Sequence, residues 1–206
     1  MLLLPHHRRA LLDAARASIR TVLRDRAPAV DEPAGPSGPP DPVLAQPAGC
    51  FVTLHRLETH ELRGCVGRLE AVDPLLVAVR RAAAAVLTDP RFAGDPVRTD
   101  ELPRLQIDVS VLSPLRPADN PFDFDLLRDG VYLTWGERAG CFLPQVARET
   151  GWDKTQLLAR LCTEKMGLPA GAWRDPRAKL FHFTTEVIGP EPFDDNGPPK
   201  WAEIPP

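Results

Sequence analysis

Two short β-type segments joined by a brief polar link constrain the fold of this chain more than any other feature. Cys50–Arg56 (CFVTLHR) and Leu62–Leu69 (LRGCVGRL) are separated only by Leu57–Glu61. A link this short returns the chain alongside itself, whereas parallel strands need a crossover of a dozen or more residues. The pattern therefore predicts a β-hairpin within an antiparallel sheet.

Further segments extend this pattern. Leu105–Ser113 alternates apolar and polar residues, which predicts a strand with one face in the core and one in water. Val131–Trp135 and Cys141–Leu143 predict a second hairpin around a turn at 136–140, and Lys179–Ile188 predicts a final strand. Helices are predicted over 6–25, over Leu75–Thr88, from Pro144 to near Gly151, and from a capping box at Asp153 and Gln156 to Gly167. Hairpins with helices between them predict an α+β fold.

Proline marks two segments that we expect to lie outside the core. Residues 28–47 lack an apolar stripe and hold proline or glycine every few positions, which predicts a long surface loop. A second cluster follows residue 189, so we expect a frayed chain from Gly189 and a flexible tail over 191–206.

Charge and hydropathy exclude several classes of protein. The formal net charge of the 206 residues is −3, which argues against a strongly basic nucleic-acid binder. No apolar segment approaches the ~20 residues that span a bilayer. Leu2–Leu4 precedes the nearby charged residues, whereas a signal peptide places its charge first. We therefore expect a cytoplasmic protein with no membrane or nucleic-acid partner, whose four cysteines are reduced thiols.

The segment Leu62–Gly67 (LRGCVG) carries the most chemical information. Two glycines inside a strand indicate a bulge or a close approach by another backbone or a ligand. Alternation places Arg63 and Cys65 on one face, where a guanidinium would favour the reactive thiolate. Two interpretations stay open: Cys65 is a reactive thiol on an open strand, or it is a small buried residue in a tightly packed strand with Arg63 in solvent.

Six short motifs, in this order, resemble the AMMECR domain family over roughly residues 8–190. They are FVTL (51–54), LRGCVG (62–67), DPRF (89–92), SVLSP (110–114), FLPQVA (142–147) and GWD (151–153). The resemblance implies a two-lobed α+β domain with antiparallel sheets and packed helices, whose larger lobe holds both termini and whose smaller lobe covers roughly 122–178. It also implies that LRGCVG lies near a cleft.

The resemblance does not imply an established reaction. Bacterial members, called AmmeMemoRadiSam system protein A, are associated with a Memo-type protein and a radical S-adenosylmethionine enzyme, which makes both candidate partners. One hypothesis is a cysteine-dependent enzyme or enzyme component in which Cys65 is the nucleophile, Arg63 and Arg91 orient a small anionic substrate, and Gly64 and Gly67 allow its close approach. The alternative is a non-catalytic adaptor for those partners. Arg91 itself fits either an anion clamp or an internal ion pair.

Other candidate sites are weaker. His55 and His60 flank the first hairpin turn near Cys65, but no fourth ligand stands at metal-site spacing, so we predict no metal. The phosphate-loop, dinucleotide and nucleophile-elbow patterns are absent from the sequence, and no cofactor is predicted. Asp108 and Glu186 are candidate bases, although single carboxylates on strands are usually just solvated, and we expect His182 to be a half-buried packing residue.

Overall fold

A computed structural model describes residues 2–25 and 41–194 of the chain. Two compact units share these residues: a terminal unit of Met1–Val111 with Glu186–Pro206, and an inserted unit of Leu112–Thr185. Both units combine antiparallel strands with helices, so the predicted α+β fold is confirmed.

The terminal unit is built on a sheet whose strands run in the order β2-β1-β3-β7. Its helices and strands are α1 (Pro5–Asp25), β1 (Cys50–Arg56), β2 (Leu62–Arg68), α2 (Leu75–Ala85), β3 (Leu105–Leu112) and the end of β7 (Lys179–Pro192). Helix α1 packs against α2, and α2 packs against the β1–β2 hairpin. The predicted apolar stripe of α1 contributes Leu11, Leu12, Ala15 and Ile19, all fully buried, to the core.

The inserted unit holds a second hairpin and two short helices. Its elements are β4 (Arg116–Pro117), β5 (Asp129–Trp135), β6 (Arg138–Phe142), α3 (Pro144–Thr150), α4 (Lys154–Arg160), which continues into a π-helical turn at Leu161–Lys165, and the beginning of β7. Strand β5 pairs with both β6 and β7. The capping box at Asp153 and Gln156 is present. The hairpin turn is tighter than expected, because β6 begins at Arg138 and Gly136 takes the left-handed conformation (φ +59°) that a two-residue turn needs.

Three expectations are corrected by the structure. The predicted water-facing side of the Leu105–Ser113 strand is wrong, because every residue of β3 is buried. Strand β3 is an interior strand, and its polar side chains are covered by hydrogen-bonding neighbours rather than by water.

The part of the chain that the structure describes after Gly189, up to Asp194, is not frayed. Strand β7 continues to Pro192, and Phe193 is only 1% exposed. Arg16 is buried and donates to Glu191 Oε2 at 2.9 Å, which fixes this segment against α1. The rest of the predicted 191–206 tail lies outside the described residues.

The end of the 28–47 segment joins the core. Leu44 is 7% exposed and belongs to the apolar cluster of the terminal unit, with Val43 packed against it. Leu44 therefore packs against the core, although the proline-rich segment around it shows no apolar periodicity. The preceding part of the predicted loop, up to residue 40, lies outside the described residues.

Candidate functional site

The polar face of the β2-β1-β3 sheet carries Cys65 and the groups around it. Thr53 of β1 lies opposite Cys65 of β2 and opposite Asp108 of β3. Directly opposed residues of antiparallel strands place their side chains on the same face. The three side chains therefore form one row across the sheet, and His55 follows Thr53 on this face, two positions along β1.

Short contacts connect this row. Thr53 Oγ1 donates to Cys65 Sγ at 3.4 Å, and His55 Nδ1 lies 3.5 Å from Asp108 Oδ2. The side chain of His55 is 28% exposed and that of Asp108 is 10% exposed, so the imidazole is the more exposed member of this pair. The arrangement brings a thiol, a hydroxyl donor and an imidazole–carboxylate pair onto one surface.

The DPRF motif fixes the backbone at Cys65 from the side. The amide of Cys65 donates to Asp89 Oδ2 at 2.9 Å, while Arg91 Nη2 donates to the Cys65 carbonyl at 3.1 Å and to Asp89 Oδ2 at 2.6 Å. Asp89 is buried and ionised: hydrogen bonding from Arg91 lowers its pKa to about 2. LRGCVG and DPRF thus form one hydrogen-bonded structure, a role for Asp89 that sequence reasoning missed.

Arg63 does not activate the thiol, contrary to our expectation. Its guanidinium is buried and makes a two-point contact with Glu101, at 2.6 and 3.0 Å. A bulge between β1 and β2 lies beside it, after the Leu54–Gly64 pair. Arg63 is therefore in neither of the environments that its spacing suggested, since it is not beside the thiol and not in solvent.

The thiol of Cys65 is neutral at physiological pH. Burial raises its pKa above the ordinary value of 9.0. The hydrogen bond from Thr53 and the charge of Arg91 lower the pKa, while the carboxylates of Asp108 and Asp89 raise it. The effect of burial on the pKa is the largest, so any reaction at Cys65 needs a base to take its proton.

Gly64 and Gly67 face protein rather than an open cleft. A Cβ on Gly64 would lie 2.9 Å from Val86 Cγ2 and 3.0 Å from the Val86 carbonyl oxygen. On Gly67 it would overlap the Cys50 carbonyl oxygen, which a side chain cannot accommodate. Both glycines allow close backbone packing around Cys65, and their contact with a substrate stays a prediction.

The histidines near this site have other partners. His60, at φ +58° in the hairpin turn, accepts a hydrogen bond from Gln106 Nε2 at 2.8 Å, and His55 faces Asp108. In the described part of the chain, ligand-type atoms of His6, His7 and Asp41 gather within 4.8 Å of one another. The Leu4 amide donates to His7 Nδ1, so His7 Nε2 carries the hydrogen that faces Asp41, and this group is a hydrogen-bonded pair rather than a free ligand set.

No helix in residues 2–25 or 41–194 combines the length and the hydropathy that crossing a bilayer requires.

Comparisons with known proteins place the chain in a family. The AMMECR1 family model matches residues 12–188. A protein of Methanopyrus kandleri is 38% identical over 174 residues, covering 81% of this chain and 82% of that protein. A protein of Thermococcus gammatolerans is 40% identical over 159 residues, covering 73% and 76%.

A solved structure agrees with these matches. The crystal structure of the uncharacterized protein PH0010 from Pyrococcus horikoshii matches with a TM-score of 0.75 and 34% identity, covering 86% of this chain and 88% of that one. These relatives are archaeal, whereas the sequence motifs pointed to bacterial members. By sequence and by structure, the chain belongs to the AMMECR1 family.

Proposed function

We propose that the chain is a cysteine-dependent enzyme component that acts on a small anionic substrate through Cys65. The observation that carries the proposal is the shared sheet face of Cys65, Thr53, Asp108 and His55. A neutral thiol beside an imidazole–carboxylate pair has the parts of an activated nucleophile. All four cysteines are thiols rather than halves of disulfides, which suits the reducing cytoplasmic setting that we propose with it.

The roles are assigned from the shared sheet face and, for Thr53, from its hydrogen bond to Cys65 Sγ. His55 accepts the proton of Cys65, and Asp108 stabilises the imidazolium that forms. Thr53 donates to the sulfur and stabilises the thiolate as it attacks. Arg91, whose side chain is 55% exposed and whose Nε and Nη2 bind Asp89, offers its Nη1 group to an anionic group of the substrate. The chemistry that fits is acyl or group transfer through a thioester-like intermediate, in which the departing group leaves with the proton that His55 accepted.

A second candidate function is a non-catalytic adaptor for a Memo-type protein and a radical S-adenosylmethionine protein. One observation favours it: Arg63, Gly64 and Gly67 are committed to internal contacts, so much of LRGCVG supports a fixed surface. In this case Cys65 only packs.

One comparison separates the two functions. Small molecules that co-purify with the wild-type protein are identified by mass spectrometry and compared with those from Cys65→Ala, His55→Gln and the control Cys141→Ala. The enzyme proposal expects a ligand or adduct that is lost from Cys65→Ala and kept by Cys141→Ala. The same ligand profile in all variants, with Memo-type and radical-protein binding intact in Cys65→Ala, would support the adaptor instead.

A further inference from the structure

The inserted unit contains a polar cavity that is separate from the Cys65 site. Its volume is about 520 Å³. The residues that line it come from the loop before β5, from β5, from α4 and from β7, and they are Phe122, Asp123, Phe124, Asp125, Leu126, Arg128, Asp129, Lys154 and His182. Its volume is in the range of small-molecule sites.

A histidine–carboxylate pair forms part of the wall. His182 Nδ1 lies 3.1 Å from Asp129 Oδ2, and Asp129 also accepts from the Asp125 amide at 2.9 Å and from Arg128 Nε at 3.1 Å. The carboxylate is 2% exposed. Burial opposes its ionisation, but these hydrogen bonds outweigh burial and hold the pKa of Asp129 below its ordinary value.

The ring orientation of His182 follows from this contact. An ionised carboxylate has no hydrogen to give, so Nδ1 carries the hydrogen, and in the neutral imidazole Nε2 keeps a lone pair. His182 is half-buried, as the sequence predicts, but its side chain is 21% exposed and lines the cavity, so it does more than pack. Nε2 is therefore a fixed hydrogen-bond acceptor available to a ligand.

Lys154 contributes a cationic side chain to the lining of the same cavity. Lys154 Nζ donates to the Phe122 carbonyl at 2.8 Å and lies 4.8 Å from the centre of the Phe124 ring. Within residues 2–25 and 41–194, no carboxylate forms an ion pair with this ammonium. Two of its three hydrogens remain for a ligand.

The acidic residues of the cavity are largely engaged by the loop itself. Asp125 Oδ1 accepts from the Leu127 and Arg128 amides, and Asp123 Oδ2 accepts from the Asp119 amide. These donors, with Arg128 on Asp129, offset part of the negative charge. The groups left to meet a ligand are a cation, an imidazole acceptor, the aromatic rings, and the second oxygens of Asp123 and Asp125, which can accept from a donor group of the ligand.

We propose that this cavity binds a small organic carboxylate that also carries a hydroxyl or amide N–H group. Lys154 holds the carboxylate, His182 Nε2 accepts the hydrogen bond from the hydroxyl or amide, and Phe122 and Phe124 contact the carbon skeleton.

The test is an NMR titration of the full chain at about pH 8, where imidazole is ordinarily neutral. Glycolate, L-lactate and N-acetylglycine are the probes, and propionate is the matched control because it has the carboxylate but no donor. We expect saturable shifts at the amides of residues 122–129 and at the His182 ring nitrogens, with propionate bound at least about tenfold more weakly.

Variants assign the contacts. Lys154→Met and His182→Phe each weaken probe binding by about tenfold or more, while Lys179→Ala, on the same strand as His182 but outside the cavity, leaves it unchanged. Cys65→Ala also binds normally, which separates this site from the proposed enzyme function. The proposal is overturned if none of the three probes gives saturable shifts, if propionate binds as well as they do, or if folded Lys154→Met binds like the wild type.

Discussion

At the scale of single residues, Cys65 is shaped by burial more than by neighbouring cations. Its backbone is fixed by Asp89 and Arg91, and its side chain is half-buried beside Thr53. The guanidinium of Arg63, two residues earlier in the sequence, binds Glu101 and not the thiol. A thiol in this environment is held in place but not activated before a substrate arrives.

The pH dependence of alkylation tests this description. Because the pKa of Cys65 lies above 9.0, its reaction with iodoacetamide should increase about tenfold per pH unit from pH 7 and still increase beyond pH 9. Peptide mass spectrometry of the folded protein follows each cysteine separately. Cys50, whose pKa burial raises to about 12, and Cys162 are buried controls that should stay unlabelled. A Cys65 rate that levels off below pH 8 would contradict this account.

Asp89 makes the free energy of unfolding depend on pH in the acidic range. Hydrogen bonding from Arg91 lowers the pKa of Asp89 from 3.8 to about 2, so its contribution is full above about pH 4 and is lost as the pH falls through 2. Asp89→Asn should lower the free energy of unfolding at pH 7 by about 2 kcal/mol and flatten its change between pH 4 and 2.

Urea denaturation at several pH values measures both effects. Asp100→Asn is the matched control, because that side chain is 67% exposed and pairs at the surface with Arg98. An Asp89→Asn variant as stable as Asp100→Asn would show that the Cys65 amide does not depend on this carboxylate.

At the scale of elements, the glycines of β2 determine how closely its neighbours pack. Gly67→Ala should destabilise the fold by roughly 3 kcal/mol or more, because the new methyl group would overlap backbone atoms of β1. Gly64→Ala should cost roughly 1–3 kcal/mol, since the closest atom would belong to the Val86 side chain, which yields more easily than the Val86 carbonyl oxygen at 3.0 Å.

Gly94 provides the comparison. A Cβ added to this glycine would have nothing within 4 Å, so Gly94→Ala should stay within about 0.5 kcal/mol of the wild type in chemical denaturation. Equal losses at all three positions would mean that general glycine effects, and not close packing, explain the result.

The sequence predicts the elements of this fold better than the partners of its side chains. Hairpin spacing and apolar periodicity give β1, β2, β5 and α1 because these depend on local patterns. The burial of both faces of β3 does not follow, because it depends on distant neighbours such as His60. The Arg63–Glu101 pair spans 38 positions and has no local signal.

At the scale of the whole molecule, a buried ion pair joins the beginning of the chain to its described end. Arg16 of α1 donates to Glu191 Oε2 and to the Pro192 carbonyl, and both charged side chains are under a tenth exposed. Removing Arg16 takes its positive charge away from a carboxylate that is itself buried, which is costly.

Arg16→Ala should therefore lower the free energy of unfolding by about 3–5 kcal/mol. Arg20→Ala removes a neighbouring pair with Asp194 that is about half exposed, and should cost under about 1 kcal/mol. Thermal and urea denaturation compare the two variants. Similar small losses would show that water, and not Glu191, satisfies Arg16.

Strand β7 takes part in the sheets of both units, and this restricts how the gene can change. Its first half is registered against β5 and its second half borders β3. Side chains alternate between faces along a strand, so inserting or deleting one codon in the middle of β7 would exchange inward-facing and outward-facing residues in one unit while leaving the other correct. Point substitutions along this strand are compatible with both units, whereas the insertion or deletion of a single residue in its middle is not.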